Sequence, residues 1–506
     1  MLTDNQYGFD LQKDNPFVIF RLLAQVAKDK VGIENVLDLS RGDPGYGFAP
    51  NVKSRKFYSF LVNLDTALNN FETHFKDKTK TSEEEILEAV KKFAEENYQA
   101  AAATELLADF DFFLDAVITA AKNQGLDWGK FEVLFELFKY ATVSGGTYHD
   151  PYGEQIARIV VADYHSHNLG LEIKYDDLIF TNGASHAIGT FFKAFGVEGG
   201  ELLKEGDEVM ITSPVYFPYM GIMEARGLKI TCISANPATG QLDAEAFEQV
   251  KDSNPKVIIL VDPDNPTGLT KNTESLQRLA DFAEEKDAII LSDEVYHSFH
   301  KGKKSILNFA PKRTIRIDAR SKIERATGCR FGEYIVIDEA NKFISDKWKE
   351  FLPTGIDLKT YLHDAKAPGG VLGEFRHTTF VGGPGQILGI CHIILGEAER
   401  RKYTEIVTEN MKTWHSGLGI EYPGNFYYSL VDMNSIASDA KKKVPAERKL
   451  LDLAERGVVL IPSGLFFSKE DRAAENRDNY VRASLPNLTT EQVGKAAEIV
   501  KEYLEN

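Results

Sequence analysis

The segment IDARSKIERATGCRFG, residues 317–332, contains Lys322 and, eight residues later, Arg330. Gly328 lies in the polar link between them. Polar links that contain glycine are often ordinary turns, and a lysine in such a link is usually a solvated surface residue. The neighbouring sequence therefore has to show whether this lysine has a catalytic role.

Short β-rich runs alternate with helical stretches after residue 175. The runs read DLIFTNG, DEVMITSPV, LKITCISA, KVIILVDP, AIILSDEV and YIVID. Strands that alternate with helices predict βαβ units in a mainly parallel sheet. Because functional loops in such sheets lie beyond the carboxyl ends of the strands, the residues after each run are the candidates for a site.

Small or polar residues follow two of these runs. Gly183, Ala184 and Ser185 open a helix whose first amides could bind an anion, although a plain turn with a helix cap would look the same. Asn265, in DPDNPTG, could bind a ring hydroxyl, although a turn explains it equally well. Neither motif is specific alone.

Charged and phenolic residues follow the later runs. Asp293 ends a very apolar strand, where an ionised carboxylate is costly unless a cation partners it; otherwise it caps the next segment. Tyr296 offers a phenol three residues later. A lysine such as Lys322 beside a carboxylate-held heterocycle is the arrangement for Schiff-base chemistry. Arg330 would supply a forked donor to a phosphate.

Length and composition limit the class of protein. A chain of 506 residues predicts two or three domains. Its 43% hydrophobic and 27% charged residues are ordinary for a globular protein, and no apolar run reaches the ~18 residues of a membrane span. The polar N-terminus is not expected to be a targeting peptide, and three dispersed cysteines predict a reducing compartment and no zinc site. The net charge of −17 argues against nucleic acid or an anionic membrane as the main partner.

The small-residue turn, Asn-Pro-Thr-Gly, Asp-x-x-Tyr and Ser-Lys-x7-Arg occur in this order, each after a strand-like run. In this the chain resembles the class I aminotransferases, which are fold type I enzymes dependent on pyridoxal 5'-phosphate (PLP). The resemblance runs from about residue 35 to the C-terminus, apart from a helical block. It implies an α/β fold with a mainly parallel sheet and helices on both faces, a smaller α+β domain and a helical insertion.

Domain boundaries follow from this resemblance and from the texture of the sequence. Residues 55–140 carry apolar residues at helical spacing and almost no glycine or proline in their central part, which predicts a helical insertion used for packing or oligomer contact. Residues 1–54 would join the small domain, 141–375 would form the large PLP-binding domain, and 376–506 would form an interdomain helix and the C-terminal small domain.

The resemblance implies a role for each candidate at the cofactor ring. Lys322 would form the Schiff base and then transfer protons, and Asp293 would keep the pyridine nitrogen protonated. Tyr296 and Asn265 would hydrogen-bond the ring hydroxyl, and Tyr216, in SPVYFPY, would stack on the ring.

The resemblance also assigns the phosphate and substrate ligands. The phosphate ligands would be Gly183, Ala184, Ser185, Ser321 and Arg330. Tyr148, in GGTYHDPYG, would reach the phosphate of a neighbouring subunit, as Thr378 and Thr379 would across the same interface. This implies a homodimer with shared active sites, and a higher oligomer built from such dimers is the alternative. Arg482, in NYVRASLP, would fork onto the substrate α-carboxylate.

The lysine segment departs from the family pattern in two places. The family usually has Ser-aromatic-Ser-Lys, and this chain has Ala319 and Arg320 before Ser321 and Lys322. The lost serine should weaken the phosphate site by one hydrogen bond, about 1 kcal/mol. Arg320 either turns inward and compensates or lies exposed.

The insertion points to one branch of the family. It lengthens the connection from Gly42 to Tyr148 and, together with DLSRGDPGY, resembles the aspartate 4-decarboxylases. Arg41 and Gly42 would then lie near the substrate, where Arg41 would hold a distal carboxylate; the alternative is a structural salt bridge. Asn-Pro-Thr-Gly and GGTYHDPYG instead resemble the transaminases.

We therefore predict a cytoplasmic, PLP-dependent aminotransferase that transfers the amino group of an L-amino acid, with aspartate favoured, to a 2-oxo acid such as 2-oxoglutarate. The alternative is an aspartate 4-decarboxylase, which releases alanine and CO2, or an enzyme with both activities. A catalytically inactive PLP-binding regulator is the remote alternative, because the first 35 residues are too short and too acidic for a DNA-binding segment. No metal is expected.

Overall fold

The structure is a computed structural model that describes residues 9, 16–45, 51–67, 82–139, 142–145, 152–196, 203–352, 354–363, 381–468 and 477–506. The α-helices of this part are α1 (Pro16–Val31), α2 (Val52–Ala67), α3 (Glu83–Asn97), α4 (Ala100–Asn123), α5 (Lys130–Phe138), α6 (Gln155–Leu169), α7 (Ala184–Gly196), α8 (Pro218–Glu224), α9 (Ala244–Gln249), α10 (Thr273–Glu285), α11 (Asp338–Lys347), α12 (Leu358–His363), α13 (Gly383–Leu395), α14 (Glu397–Leu418), α15 (Met433–Ile436), α16 (Asp439–Lys442), α17 (Ala446–Glu455) and α18 (Thr490–Glu505). The strands are β1 (Leu37–Asp38), β2 (Leu178–Thr181), β3 (Glu208–Ser213), β4 (Lys229–Ser234), β5 (Val257–Val261), β6 (Ile289–Asp293), β7 (Thr314–Ala319), β8 (Gly332–Ile335), β9 (Tyr428–Asp432), β10 (Val458–Val459), β11 (Ile461–Pro462) and β12 (Tyr480–Ser484).

The chain forms two compact units. The first contains residues 1–49, 205–299 and 402–506, and the second contains residues 50–204 and 300–401. Each unit is built from segments that are far apart in the sequence. The domain boundaries derived from the sequence stay a prediction.

The first unit contains four parallel strands in the order β6-β5-β3-β4. Every residue of β5 and β6 is buried, as expected for parallel strands that are covered on both faces. The intervening helices begin at side-chain caps: Asp243 caps α9 and Asn272 caps α10, each by accepting a backbone N–H. The carboxyl ends of β5 and β6 are followed by the Asn265 and Tyr296 loops.

The first unit also contains the C-terminal sheet. Its strands run antiparallel in the order β11-β12-β9, and Arg482 of β12 lies opposite Ile461 and Leu430. The short strands β1 and β10 pair in parallel, Leu37 with Val458. This places the N-terminal segment 37–45 in the same unit as Arg482.

The second unit combines three antiparallel strands, in the order β2-β8-β7, with a large helical core. The region that the sequence predicts as a helical block contains α3, α4, α5 and most of α2 in its described part. Buried aromatic rings join these helices; for example, the ring centroids of Phe57 and Phe113 lie 5.3 Å apart. Ser54 of α2 also contacts His392 of α13, with 2.6 Å between Oγ and Nδ1. The insertion therefore shares one core with α6 and α13.

None of the helices in the described ranges is long and apolar enough to cross a membrane.

Candidate active site

Lys322 lies in a loop of the second unit that follows β7, and its side chain is half-buried. Three hydrogen bonds close this loop: Arg325 N–H donates to the Lys322 carbonyl (3.1 Å), Ala326 N–H donates to the Arg320 carbonyl (3.1 Å), and Thr327 Oγ1 donates to the Ser321 carbonyl (3.0 Å). The lysine is therefore carried on a defined backbone at the end of a buried strand.

Arg320, which precedes this lysine by two residues, is completely buried. Its side chain has turned inward and is not exposed. Its Nη2 lies 2.6 Å from Glu333 Oε1, and its Nη1 lies 3.2 Å from Glu324 Oε1. A third carboxylate, that of Asp318, lies 3.5 Å away. The exposed arginine is therefore wrong and the inward turn is confirmed, because a buried guanidinium pairs with the carboxylates that surround it. A contribution of Arg320 to the phosphate site stays a prediction.

The same carboxylates raise the question of a metal site. His165, Asp318 and Glu333 are buried and offer ligand atoms within 4.8 Å of one another. However, Arg320 binds Glu333, and Arg316 Nη2 donates to Asp318 Oδ2 at 3.0 Å. A cation at this cluster would have to compete with the two guanidinium groups that already bind Glu333 Oε1 and Asp318 Oδ2. The cluster is a network of buried ion pairs.

Gly183, Gly332 and the Arg330 side chain approach one another closely at the start of α7, in the same unit. Gly183 has φ of +80°, and a Cβ at this residue would lie 2.5 Å from Arg330 Nη2. A Cβ on Gly332 would lie 2.8 Å from the Gly183 Cα. Arg330 is exposed, and its guanidinium donates to the carbonyls of Asn182 (3.3 Å) and Thr327 (3.0 Å). Two glycines thus let a guanidinium approach the first turn of a helix.

The first turn of α7 supplies donors to this group. Helix α7 starts at Ala184, and the first amides of a helix have no acceptor within it. Ser185 is exposed, so its hydroxyl is open to solvent. Amides at a helix N-terminus beside a guanidinium suit a phosphate.

Asp293, in the first unit, is buried at the end of β6, with 5% of its surface exposed. Tyr219, which is completely buried, donates its hydroxyl to Asp293 Oδ2 at 3.0 Å. Tyr216 lies three residues earlier, before α8 begins, and is half-buried. Burial raises its pKa to about 12, with Tyr428 and Asp293 adding to the effect. One phenol therefore donates to this carboxylate, and the raised pKa of Tyr216 keeps that second phenol neutral at physiological pH.

Arg482 forms the centre of a second group in the first unit. Its Nη1 donates to Asn265 Oδ1 at 3.0 Å, and its Nη2 donates to the Ser40 carbonyl at 2.8 Å. The rings of Tyr428 and Phe466 lie against the guanidinium, with centroids 4.4 and 5.4 Å from Cζ. The predicted substrate and ring ligands Arg482 and Asn265 are therefore in direct contact.

Arg41 differs from Arg482 in its surroundings. Its side chain is 60% exposed, and its Nε lies 3.2 Å from Asp38 Oδ2. Asn487 holds the following glycine loop by donating to the Arg41 carbonyl and accepting from Gly45 N–H. Tyr427 donates to the Gly42 carbonyl at 2.9 Å. The salt bridge that the sequence left as the alternative is present, and a role of Arg41 toward substrate stays a prediction.

These features match a known family. The family model "Aminotransferase class I and II" matches residues 112–369. The chain belongs to this family. The resemblance and the fold class derived from the sequence are thereby confirmed.

The aminotransferase family contains relatives with measurable similarity to this chain. A bifunctional aspartate aminotransferase and L-aspartate beta-decarboxylase of Pseudomonas sp is 28% identical over 349 residues, which cover 62% of this chain and 64% of that protein. An aspartate aminotransferase of Pyrococcus horikoshii is 31% identical over 204 residues, which cover 39% of this chain and 50% of that protein. The matches thus span less than two thirds of either relative.

Solved aminotransferase structures show the same fold. The N-succinyldiaminopimelate aminotransferase of Mycobacterium tuberculosis superposes with a TM-score of 0.59 at 15% identity, over 96% of this chain and 97% of that one. Such a likeness concerns the fold alone.

Class I and II aminotransferases depend on PLP, and the described residues fit this group. The turn at Gly183 with Arg330 and the first amides of α7 have the donor chemistry and the backbone clearance that a phosphate needs. A buried carboxylate that carries a phenol donor, Asp293 with Tyr219, suits a protonated ring nitrogen.

Three predicted phosphate ligands, Tyr148, Thr378 and Thr379, lie outside the described residues.

Two tyrosines of the site, Tyr219 and Tyr428, were not predicted from the sequence. The second tyrosine of SPVYFPY, three residues after Tyr216, was the signal that could have indicated the first of these. Nothing in the local sequence indicates the second.

Proposed function

We propose that this chain is a PLP-dependent aminotransferase that transfers the amino group of an L-amino acid, aspartate first among them, to a 2-oxo acid such as 2-oxoglutarate. The observation that carries the proposal is the buried contact between Arg482 and Asn265, against two aromatic rings. A guanidinium held in this way presents a fixed fork to a carboxylate. The family match supports the same assignment.

When bound, PLP supplies an electron sink that makes the α-proton of an amino acid removable. Lys322 is the residue that we assign to the covalent link and to moving this proton with its Nζ. Asp293 would hold the proton of the ring nitrogen, and the hydroxyl of Tyr219 keeps its carboxylate oriented. Burial of Asp293 strengthens such a charge interaction, because the local dielectric constant is low.

Other residues of the chain would bind and orient. The phosphate would be bound by the first amides of α7, with Ser185, Ser321 and Arg330. Tyr296 and Asn265 would bind the ring hydroxyl, and Tyr216 would stack on the ring. Arg482 would bind the α-carboxylate of the substrate, whose amino group it would thereby orient.

We further propose a cytoplasmic homodimer in which Tyr148 of the second copy contacts the phosphate. What supports this is the family resemblance together with the sparse cysteines. The native mass in solution tests the dimer, and the PLP affinity of a Tyr148→Phe variant tests the contribution of Tyr148.

A second candidate function is aspartate 4-decarboxylation. It is favoured by the similarity to the Pseudomonas protein, whose name includes both activities. The two activities share the binding of aspartate and diverge in the fate of its distal carboxylate. Arg41 is the residue that we propose for that carboxylate, although it now pairs with Asp38.

The deciding experiment incubates the PLP-loaded protein with aspartate, with and without 2-oxoglutarate, and follows CO2, alanine, oxaloacetate and glutamate. Oxaloacetate and glutamate that form only with 2-oxoglutarate support the aminotransferase. CO2 and alanine without any 2-oxo acid support the decarboxylase. Lys322→Ala should abolish either activity, whereas the exposed control Lys301→Ala should keep it; an active Lys322→Ala protein refutes the assignment of Lys322.

A further inference from the structure

Tyr428, the first residue of β9, contacts two residues to which we assign different ligands. Its hydroxyl lies 2.9 Å from the hydroxyl of Tyr296, and the two ring centroids lie 5.5 Å apart at 76°. The face of its ring lies against the guanidinium of Arg482, with 4.4 Å between the centroid and Cζ. One buried side chain therefore connects a proposed cofactor ligand with the proposed substrate ligand.

The sheet register explains this placement. In the antiparallel pair β9 and β12, Tyr428 lies opposite Ser484, and Leu430 lies opposite Arg482. Residues two apart on one strand share a face, so Tyr428 and Arg482 are diagonal neighbours on the same face of the sheet, within reach of an aromatic ring.

The backbone of Tyr428 is also held in place. Asn425 Nδ2 donates to its carbonyl at 2.9 Å and to the Thr267 carbonyl at 3.1 Å. Gly268 approaches the same carbonyl so closely that a Cβ at this position would clash with it. The Asn-Pro-Thr-Gly turn thus positions Tyr428 as well as Asn265.

We propose that Tyr428 is a positioning residue for the reaction, which acts through Tyr296 by its hydroxyl and through Arg482 by its ring. The inference rests on the proposed aminotransferase function. A phenol has one proton to donate. When Tyr428 donates to the Tyr296 oxygen, Tyr296 keeps its own proton for the ring oxygen of the cofactor, and the hydrogen bond it accepts makes it a stronger donor.

The ring of Tyr428 has a second role, which is to hold the guanidinium of Arg482 in place. The rings of Tyr428 and Phe466 both lie against the Arg482 guanidinium. Its nitrogens Nη1 and Nη2 donate to Asn265 and to the Ser40 carbonyl. A cation against an aromatic face is stabilised electrostatically. The ring therefore restricts the direction in which Arg482 presents its donors to a carboxylate.

Two variants separate these roles. Tyr428→Phe removes the hydroxyl and keeps the ring, so kcat should fall about three- to tenfold while KM for the amino donor stays within about twofold. The visible absorbance of bound PLP should titrate about half a pH unit higher, because a weaker donor leaves the ring oxygen more basic. Tyr428→Leu removes both, so KM should also rise by about fivefold.

Tyr503→Phe is the matched control, since this tyrosine donates to Asp452 at 2.6 Å on the C-terminal helix α18. It should leave kcat, KM and the absorbance titration unchanged. An active wild type whose Tyr428→Phe variant has unchanged kcat and an unchanged titration overturns this inference alone. A wild-type protein that neither binds PLP nor turns over an amino donor overturns the proposed function together with it.

Discussion

Replacing Arg320 by methionine tests whether the buried ion-pair network stabilises the second unit. Methionine has a similar length and no charge, so the variant leaves the carboxylates of Asp318, Glu324 and Glu333 buried without their shared guanidinium. Arg316 remains for Asp318, and His165 remains for Glu333, at 2.7 Å. Breaking a buried ion pair by removing one partner costs about 3–5 kcal/mol. We expect a loss of this size in the free energy of unfolding at pH 7.

The loss should depend on pH with a definite sign. Burial raises the pKa of Glu324 and of Glu333, and Arg320 counteracts this in the native chain. Without Arg320 both pKa values rise further. A folded carboxyl with a raised pKa keeps a proton that the unfolded chain releases, so stability falls as pH rises above about 4.5. The deficit of the variant should therefore be small near pH 4 and full at pH 7.

The assay is urea denaturation followed by tryptophan fluorescence at several pH values, because Trp128 and Trp348 both belong to the second unit. Lys359→Met is the matched control: it also removes a cation, but one of its partners, Asp338, is 63% exposed and keeps Lys174 at 2.8 Å. Its loss should be smaller.

A triple variant with Glu324→Leu and Glu333→Gln added to Arg320→Met should recover most of the stability, since it removes the uncompensated charges. The reasoning is refuted if Arg320→Met unfolds at the same urea concentration as Lys359→Met, or if its deficit does not change between pH 4 and pH 7.

Three further predictions concern single residues. Arg41→Ala should raise KM for aspartate and leave KM for alanine unchanged, because only aspartate has a distal carboxylate. Equal effects on both donors would mean that Arg41 has only a structural role, in its salt bridge with Asp38. Burial, with Arg55 and other nearby arginines adding to it, lowers the pKa of His392 to about 3. Because the unfolded chain takes up this proton below pH 6.5, the free energy of unfolding should fall as pH falls from 6.5 towards 3, by up to about 1.4 kcal/mol per unit, and His392→Gln should flatten this dependence in denaturation curves. Gly332→Ala should destabilise the chain by about 1–3 kcal/mol and weaken PLP binding in a spectroscopic titration, whereas unchanged affinity would contradict the close approach of its Cα to the start of α7.

Local sequence was sufficient to predict the strands and the loops that follow them. The runs VIILV and IILSD form β5 and β6 in full burial, and Asp293 and Asn265 lie where those strands end. A continuous apolar run bounded by turn residues has few other structures available to it, so these predictions needed no knowledge of distant contacts.

The family could also be predicted from the sequence, because the prediction depends on the order of short motifs and not on packing. The conformation at Gly183, with φ of +80°, agrees with its motif, since glycine adopts positive φ without steric strain.

The environment of Arg320 was decided by the tertiary structure alone. Glu324 is four residues away, but Glu333 is on another strand and His165 is on α6, and no local pattern indicates that they meet. The same holds for Tyr428, which reaches Arg482 through the register of two strands that are about 50 residues apart in the chain.

Sequence by itself therefore determined which segments end in chemically useful side chains, because strand formation and turn formation depend on neighbouring residues. Only the tertiary structure decided which partner each charged or phenolic group has, because burial removes water as a competing partner and leaves each group to the neighbours that packing supplies. Arg320 and Arg41 show the two results: the first is buried among carboxylates, and the second remains in solvent with one ion pair.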